Sequence, residues 1–352
     1  MTATATDRIR IGIIGTGFGA QHIEFFRQID GVDVTAIASA QAVRAEAMAE
    51  RHGIPFATSD YQELFDQVDA VVIVSPPQMH AQMALDAIAL GKHVFCEKPL
   101  AATLAQARLM RDAAVKSPDI ACMVNFQQRF TAHFGEAARL VANGSVGRLV
   151  MADMRVTMNP VDYLAADIWS DSKSAWFSQA SQGGGLLASS VGPHLIDLLA
   201  WIAGPVVEVS CRTTTLLRDI TLPDGTLVPN IDAEDGFVLL ARCANNALLT
   251  IRGVPVVYGG GEWSLELHGD AGSLIVAGTE LRVARPGDAA PAAIAQPAPI
   301  NPRTAIAQRF IDAIRSGVPS PTPTFDDGLT CQAILEAALG SARDGGWVAV
   351  TN

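Results

Sequence analysis

The chain has 352 residues, 49% of them hydrophobic and 17% charged, and a formal net charge of −11 at pH 7. That is core material for two packed domains, far from the composition of a disordered chain. The negative charge, unrelieved by any Lys/Arg run, repels phosphate backbones and excludes nucleic acid as a partner.

Five cysteines, Cys96, Cys122, Cys211, Cys243 and Cys331, lack Cys-x-x-Cys spacing, so they indicate neither a disulfide framework nor a zinc site and are expected to be mostly buried thiols. The opening residues show no basic segment followed by an apolar one, and no apolar run approaches membrane-spanning length. A soluble cytoplasmic protein with no membrane contact is therefore expected.

The first third alternates two periodicities. Apolar runs at 9–14, 32–38, 70–74, 93–96 and 121–124 read as strands, separated by helical spacing at 41–51, 78–90 and 104–116. Such βαβ repetition predicts a doubly wound parallel sheet. Gly91 suits a helix C-terminus and Thr103 an N-cap. From about residue 148 the segments are longer and alternate apolar with polar: 148–157, 206–217, 237–243, 247–253 and 264–268, with turns at Asp224-Gly225 and Asn245-Asn246. These predict a second, α+β domain on a large, mainly antiparallel open sheet. Residues 286–302, rich in alanine and proline, read as a surface loop, and helices over 302–316 and 326–342 close the chain. The domains are expected to divide as 1–125 and 126–352.

The first strand runs into Gly15-Thr16-Gly17-Phe18-Gly19-Ala20, a G-x-G-x-x-G/A turn between a strand and a helix. Gly15 permits the tight turn, Gly17 lets the backbone approach a pyrophosphate, and Ala20 allows close helix packing, with Phe18 and Gly19 completing the turn. An acidic residue at the end of the second strand would bind the ribose 2′-hydroxyl of NAD; here the strand ends at Ser39 with no acid. Ser39 can donate to a 2′-phosphate, and Arg44 either reaches it or is a solvated helix residue. The cofactor expected is NADP or NAD, leaning to NADP. Ser75-Pro76-Pro77 cannot continue a ladder and would wall the nicotinamide. His80, three residues on, faces either that cleft or the solvent, and the structural reading is favoured.

Glu97-Lys98-Pro99 follows the strand at 93–96. A residue just past a parallel strand points into the ligand crevice, and the following proline holds Lys98 extended; the X-Pro bond could be cis. On position alone Lys98 is either a turn lysine at the surface or a functional amine. Further on, Gly183-Gly184-Gly185 precedes a helix that begins near Pro193, with His194 in its first turn and Asp197 at i+3, where it could orient the imidazole. No further ligand stands at metal spacing, so no metal is expected.

Together these residues resemble the Gfo/Idh/MocA oxidoreductases, the family of glucose-fructose oxidoreductase and inositol dehydrogenase, over nearly the whole chain. The resemblance rests on the glycine turn, Ser75-Pro76-Pro77 with His80, Glu97-Lys98-Pro99, Asn125-Phe126-Gln127-Gln128-Arg129-Phe130, and the triglycine followed by Gly192-Pro193-His194 and Asp197. The closing 310–317 and 325–329 also match. It implies a Rossmann dinucleotide-binding domain over 1–125 and a substrate-binding and oligomerisation domain over 126–352, forming a homodimer or homotetramer. It further implies NAD(P)-linked oxidation or reduction of a sugar, polyol or related hydroxy compound, with Lys98 and His194 catalytic and Glu97 positioning the cofactor's reactive end.

Arg129, Tyr163, Trp169 and Trp176 are substrate-pocket candidates, although each aromatic could be core. The chain departs from the family where many members carry an aspartate four residues before the histidine, for it has Ser190 there. A serine hydroxyl can bond a substrate oxygen but cannot supply the charge that raises a neighbour's basicity. On this reading Lys98 exchanges the hydroxyl proton, its pKa lowered by desolvation beside an oxidised nicotinamide, and His194 assists. Two alternatives stand: a tightly held nucleotide used for redox-assisted elimination, epimerisation or glycoside cleavage, and a nucleotide-sensing regulator without turnover.

Overall fold

The computed structural model describes residues 8–159, 177–222, 225–255, 257–258, 261–317 and 322–351. They form two compact units, residues up to Gln127 with Asn301–Leu329, and Gln128–Ile300 with the residues from Thr330.

The first unit is built on a parallel sheet of β1 (Ile9–Ile14), β2 (Val32–Ala38), β3 (Phe56–Thr58), β4 (Ala70–Ile73), β5 (His93–Cys96) and β6 (Cys122–Val124), in the order β3-β2-β1-β4-β5-β6. Helices α1 (Gly19–Arg27), α2 (Ala42–His52), α3 (Tyr61–Leu64), α4 (Pro77–Ala89) and α5 (Leu104–Lys116) connect the strands. The strands are apolar throughout because helices cover both faces: Ile11, Ile13, Val71, Val72 and Ile73 have no exposed surface. Thr103 caps α5, its hydroxyl accepting from the Gln106 amide, and Gly91 takes a left-handed φ of 71° just past α4. The sequence divides the chain once, near residue 125. In the structure the chain returns: Phe310, on the helix Pro302–Ser316, meets Phe95 of β5 edge-on at 5.5 Å, and Phe26 of α1 meets Phe95 at 5.7 Å. Residue 124 is paired likewise, its amide donating to the Pro323 carbonyl. β3 is too short and half-buried to have shown a periodicity.

The second unit carries α6 (Ala132–Ala142), β7 (Leu149–Thr157), the helix Gly192–Ala203, β8 (Val206–Thr214), a two-stranded ribbon of β9 (Ile220–Thr221) and β10 (Leu227–Val228), then β11 (Gly236–Cys243), β12 (Leu248–Val254), β13 (Trp263–Gly269), β14 (Ser273–Ala277), β15 (Glu280–Ala284), β16 (Ala292–Ala293) and β17 (Val348–Ala349). Nine strands form one sheet, β16-β15-β14-β13-β7-β12-β11-β8-β17, antiparallel except where β7 meets β12. β14 and β15 lie just past the last strand expected from the sequence, and β16 falls inside the alanine- and proline-rich stretch read as loop. Asn246, at φ 64°, turns the β11–β12 hairpin where the Asn-Asn pair predicts it.

Met154, Leu239, Leu249, Ile251 and Leu265 line the buried face, which packs on the helix Gly192–Ala203 and α6. Met151, Val238, Leu240 and Leu248 stand on the opposite, exposed face, where Leu248 pairs directly with Met151 across β12 and β7. All five cysteines are buried, on strands or on the helix Phe325–Asp344, as their scatter predicts. No helix among the described residues is long and apolar enough to cross a membrane.

Candidate active site

The strand order of the first unit reverses direction between β1 and β4, so the loops leaving the carboxyl ends of β1, β2, β4 and β5 share one edge of the sheet. Four of the expected segments are brought to that edge: the glycine turn after β1, Ser39 after β2, Ser75-Pro76-Pro77 after β4 and Glu97-Lys98-Pro99 after β5. Gly15 has φ 116°, and a Cβ there would lie 2.7 Å from the Val74 carbonyl oxygen, so the residue must be glycine on both counts. Gly17 is exposed and a Cβ on it would meet nothing, which leaves its backbone open to an incoming group. α1 starts at Gly19 behind Phe18, which offers no side-chain cap, and has no acid in its first turn. A helix start of this kind, uncapped and behind a bare backbone, fits a dinucleotide pyrophosphate. Ser39 is half-buried, its amide donating to the Thr58 carbonyl; Arg44 is half-buried on α2.

The loop after β5 is fixed from below. The Glu97 carboxylate accepts from Asn125 Nδ2 at 2.7 Å, lies 2.8 Å from His22 Nε2, and accepts from the Lys98 amide at 3.1 Å. Burial alone would raise its pKa, but the hydrogen bond and charge of His22, the Lys98 ammonium and Asn125 together hold it well below the usual carboxylate range. Lys98 itself is half-buried, and the Lys98–Pro99 peptide is cis. Glu97 therefore acts as the foundation of the Lys98 loop. His80 is buried, with Nδ1 3.0 Å from the Pro99 carbonyl oxygen and Nε2 2.8 Å from that of Ser75. Burial lowers its pKa, against the opposing pull of the Ser75 and Pro99 carbonyls; the ring lies between the two loops, and in its neutral form its one N–H donates to one of those carbonyls at a time. His22 and the role of Asn125 escape sequence reading. The one trace of His22 is its place beside Ile23 and Phe26 on the buried face of α1.

In the second unit Gly185, at φ 132°, opens a tight turn that leads to the helix Gly192–Ala203. The amides of Ser189 and Ser190 both donate to the Gly185 carbonyl, at 3.2 and 3.1 Å, and that of Gly192 to Leu186 at 2.9 Å. His194 is buried in the first turn of the helix and Ser190 half-buried before it. Asp197, expected to orient the imidazole, gives both its oxygens to Arg129, whose Nε lies at 2.9 Å and Nη2 at 2.5 Å. The Arg129 guanidinium also lies 5.1 Å from the centre of the Trp201 ring. Arg129, a substrate candidate in the sequence, thus sits buried and clamped to the helix that carries His194. Tyr163, Trp169 and Trp176 lie outside the described residues.

Sequence reasoning also missed Glu234. Its side chain accepts from the Leu187 amide at 2.9 Å and the Ala188 amide at 2.8 Å, and its carbonyl accepts from Leu186 at 2.8 Å. Burial pushes its carboxyl up to about 7, the amides of Leu187, Ala188 and Leu186 opposing and Asp235 adding to the rise. An exposed-looking Glu-Asp pair before a strand gives no periodic signal of such a role.

A glycine-rich phosphate turn on a doubly wound sheet, a lysine at the end of β5 and a histidine-bearing helix on a separate unit define an NAD-binding oxidoreductase of the Rossmann class. The comparisons agree: residues 9–126 match the model of the oxidoreductase family with an NAD-binding Rossmann fold, and 134–275 that of the GFO/IDH/MocA C-terminal domain. The chain is 28% identical to levoglucosan dehydrogenase of Pseudarthrobacter phenanthrenivorans, over 97% of this chain and 98% of that one. It is 30% identical to the uncharacterized oxidoreductase YrbE of Bacillus subtilis, over 76% and 73%. Among solved structures, levoglucosan dehydrogenase in complex with NADH superposes with a TM-score of 0.84 at 27% identity, covering 98% of this chain and all of that one. The chain belongs to the Gfo/Idh/MocA oxidoreductase family.

Proposed function

We propose that this protein is a dehydrogenase or reductase of a sugar, polyol or related hydroxy compound, with Lys98 exchanging the substrate's hydroxyl proton and His194 bonding the same oxygen. The observation that carries the reading is the placement of Lys98 and the glycine turn on one edge of the sheet, on either side of the point where strand order reverses. Bound nicotinamide supplies hydride acceptance and donation at its C4. The remaining work falls to the chain. Gly15, Gly17 and the start of α1 hold the phosphates, Ser75, Pro76 and Pro77 wall the edge, and Glu97 with His22 and Asn125 keeps the Lys98 loop in place. Lys98 takes the proton from the hydroxyl in oxidation and returns it in reduction. Ser190, without an acid's charge, bonds substrate as a neutral partner.

The relatives support a carbohydrate-like substrate, levoglucosan dehydrogenase and the myo-inositol 2-dehydrogenase of Thermotoga maritima among them. They give the lean to NADP no support, since a solved relative that covers 98% of this chain holds NADH. We take NAD as the working nucleotide and keep NADP as the second arm of the test, because Ser39 sets no carboxylate against a 2′-phosphate. The exposed apolar residues Met151, Val238, Leu240 and Leu248 favour a second copy of the chain on the open sheet face.

The test is nucleotide reduction with a panel of polyols and sugars, run with NAD and with NADP. Turnover is expected with at least one pair. Lys98→Met should lower kcat by about 10²–10⁴-fold while leaving nucleotide affinity near its starting value. Full turnover in Lys98→Met would sink the assignment. Nucleotide that copurifies and never exchanges would favour the redox-assisted elimination reading, and binding without turnover a regulator.

A further inference from the structure

Glu234 is a buried-side carboxylate that the mechanism above does not use, and it is built into the turn that carries Ser190. Its two oxygens are divided between adjacent amides, Leu187 on Oε2 and Ala188 on Oε1, and its own carbonyl takes a third, Leu186. The turn is shaped around it: a Cβ on Gly185 would lie 2.1 Å from Glu234 Oε1, so the glycine provides room for the carboxylate as well as the positive φ. The same turn then closes with Ser189 and Ser190 on the Gly185 carbonyl and Gly192 on that of Leu186. Six residues separate Gly185 from the helix that starts at Gly192, so Leu187 and Ala188 lie in the same short hydrogen-bonded turn as Ser190, just ahead of His194.

We propose that Glu234 is the positioning residue for the Ser190–His194 segment: its ionised carboxylate, gripping the Leu187 and Ala188 amides, holds the substrate side of the site in working geometry, and its protonation loosens it. The proposal rests on the dehydrogenase reading for its functional half; its structural half stands on the turn alone. An ionised carboxylate offers a charged acceptor to each amide, whereas a neutral carboxyl turns one oxygen into a hydroxyl, a much weaker acceptor, so one of the two amide bonds loses its charge-assisted partner. With its titration near 7, set chiefly by burial, Glu234 changes state within the physiological range. Two other titratable groups feel its charge. Asp235 is committed to the Leu216 and Leu217 amides, each at 2.7 Å, and Cys211 on β8 has its thiol pushed up to about 12, by burial first and by Glu234 second.

The experiment uses the full chain, as wild type and Glu234→Gln, and reads two quantities from about pH 5.5 to 8.5, bracketing that titration. One is hydrogen exchange of the Leu187 and Ala188 amides, corrected for intrinsic exchange. The other is kcat for NAD reduction with levoglucosan or myo-inositol as the probe. In the wild type, protection is expected to rise about tenfold through neutral pH, the loss or gain of one charge-assisted hydrogen bond, and kcat to follow it. Glu234→Gln offers one amide an N–H instead of an acceptor, so its protection should stay low and its kcat profile lose that step. Wild-type protection and an unchanged profile in Glu234→Gln would overturn the proposal. So would a kcat step that persists after the exchange step is lost, a result that leaves the dehydrogenase reading intact. Absence of turnover in the wild type, with the exchange step present and abolished by Glu234→Gln, would overturn the dehydrogenase reading and support control of the turn by Glu234. If Glu234→Gln does not fold, wild-type protection that is flat across the range decides against the proposal, and a rise decides for it.

Discussion

Replacing Arg129 with methionine tests how the His194 helix is held, and its cost can be worked from two directions. The side chains of Arg129 and Asp197 are 5% and 2% exposed and form a two-pronged ion pair. Removing one partner of such a pair leaves an uncompensated buried charge, at about 3–5 kcal/mol. The second route sets a ceiling, because Asp197 can escape by taking a proton. From an ordinary carboxyl near about 3.9 to neutral pH is roughly 3 units at about 1.4 kcal/mol each, so the penalty stops near 4 kcal/mol.

The two figures agree, and the ceiling adds a slope. At about pH 5 protonation costs only about 1.5 kcal/mol, so the ion-pair part of the variant's deficit should shrink by more than half between neutral and acid conditions. The loss of the stacking contact with Trp201, about 0.5–2 kcal/mol, does not depend on pH and remains as the floor. The assay is urea unfolding followed by tryptophan fluorescence. The described tryptophans, Trp201, Trp263 and Trp347, belong to the second unit, so their signal reports that unit. Arg129→Met with Asp197→Leu should recover most of the loss, since an apolar pair leaves no stranded charge. A deficit below about 1 kcal/mol at neutral pH, or one equal at both pH values, would refute the argument that the ion pair is buried and mutually dependent.

Gly15→Ala should weaken NADH binding at least about tenfold and cost about 1–3 kcal/mol of stability, because the alanine must hold φ 116° with its Cβ 2.7 Å from a carbonyl oxygen. Calorimetric titration with NADH checks it, and an unchanged Kd would mean the turn is not the phosphate site. For Glu97 the sign is that of a depressed carboxyl. Its folded-state pKa lies below the ordinary glutamate value of 4.5, so the stability it contributes is present above that value and is lost progressively as pH falls from there towards the folded-state value. The gap between wild type and Glu97→Gln in scanning calorimetry should therefore narrow on acidification. A gap independent of pH would show that the carboxylate network around His22 and Asn125 contributes no linkage.

The sequence carries most of the first unit on its surface because a parallel strand buried on both faces is an uninterrupted apolar run, and the helices between are amphipathic with readable ends. What it hides is whatever depends on a distant partner. Helix Pro302–Ser316 looks like any C-terminal helix; only Phe310 against Phe95 ties it to the first sheet. Helical spacing shows Asp197 one turn from His194, but gives no sign of Arg129, 68 residues earlier, which bonds the same carboxylate through tertiary contact. β14 and β15 carry alternation over only five residues each, too little to separate from their flanks.

The same limit bears on the missing acid. Read along the chain, Ser190 marks a place where a carboxylate has been lost from the site. Read in space, a carboxylate stands one turn behind that serine, on Glu234, 44 residues further along and bonded to the amides of Leu187 and Ala188. It cannot supply Ser190's place with charge at a substrate oxygen, because its oxygens are spent on backbone amides. It can set where that place is. A site whose substrate side is held by a carboxylate titrating near 7 keeps a dependence on pH even though the residue that would ordinarily titrate beside the histidine is a serine.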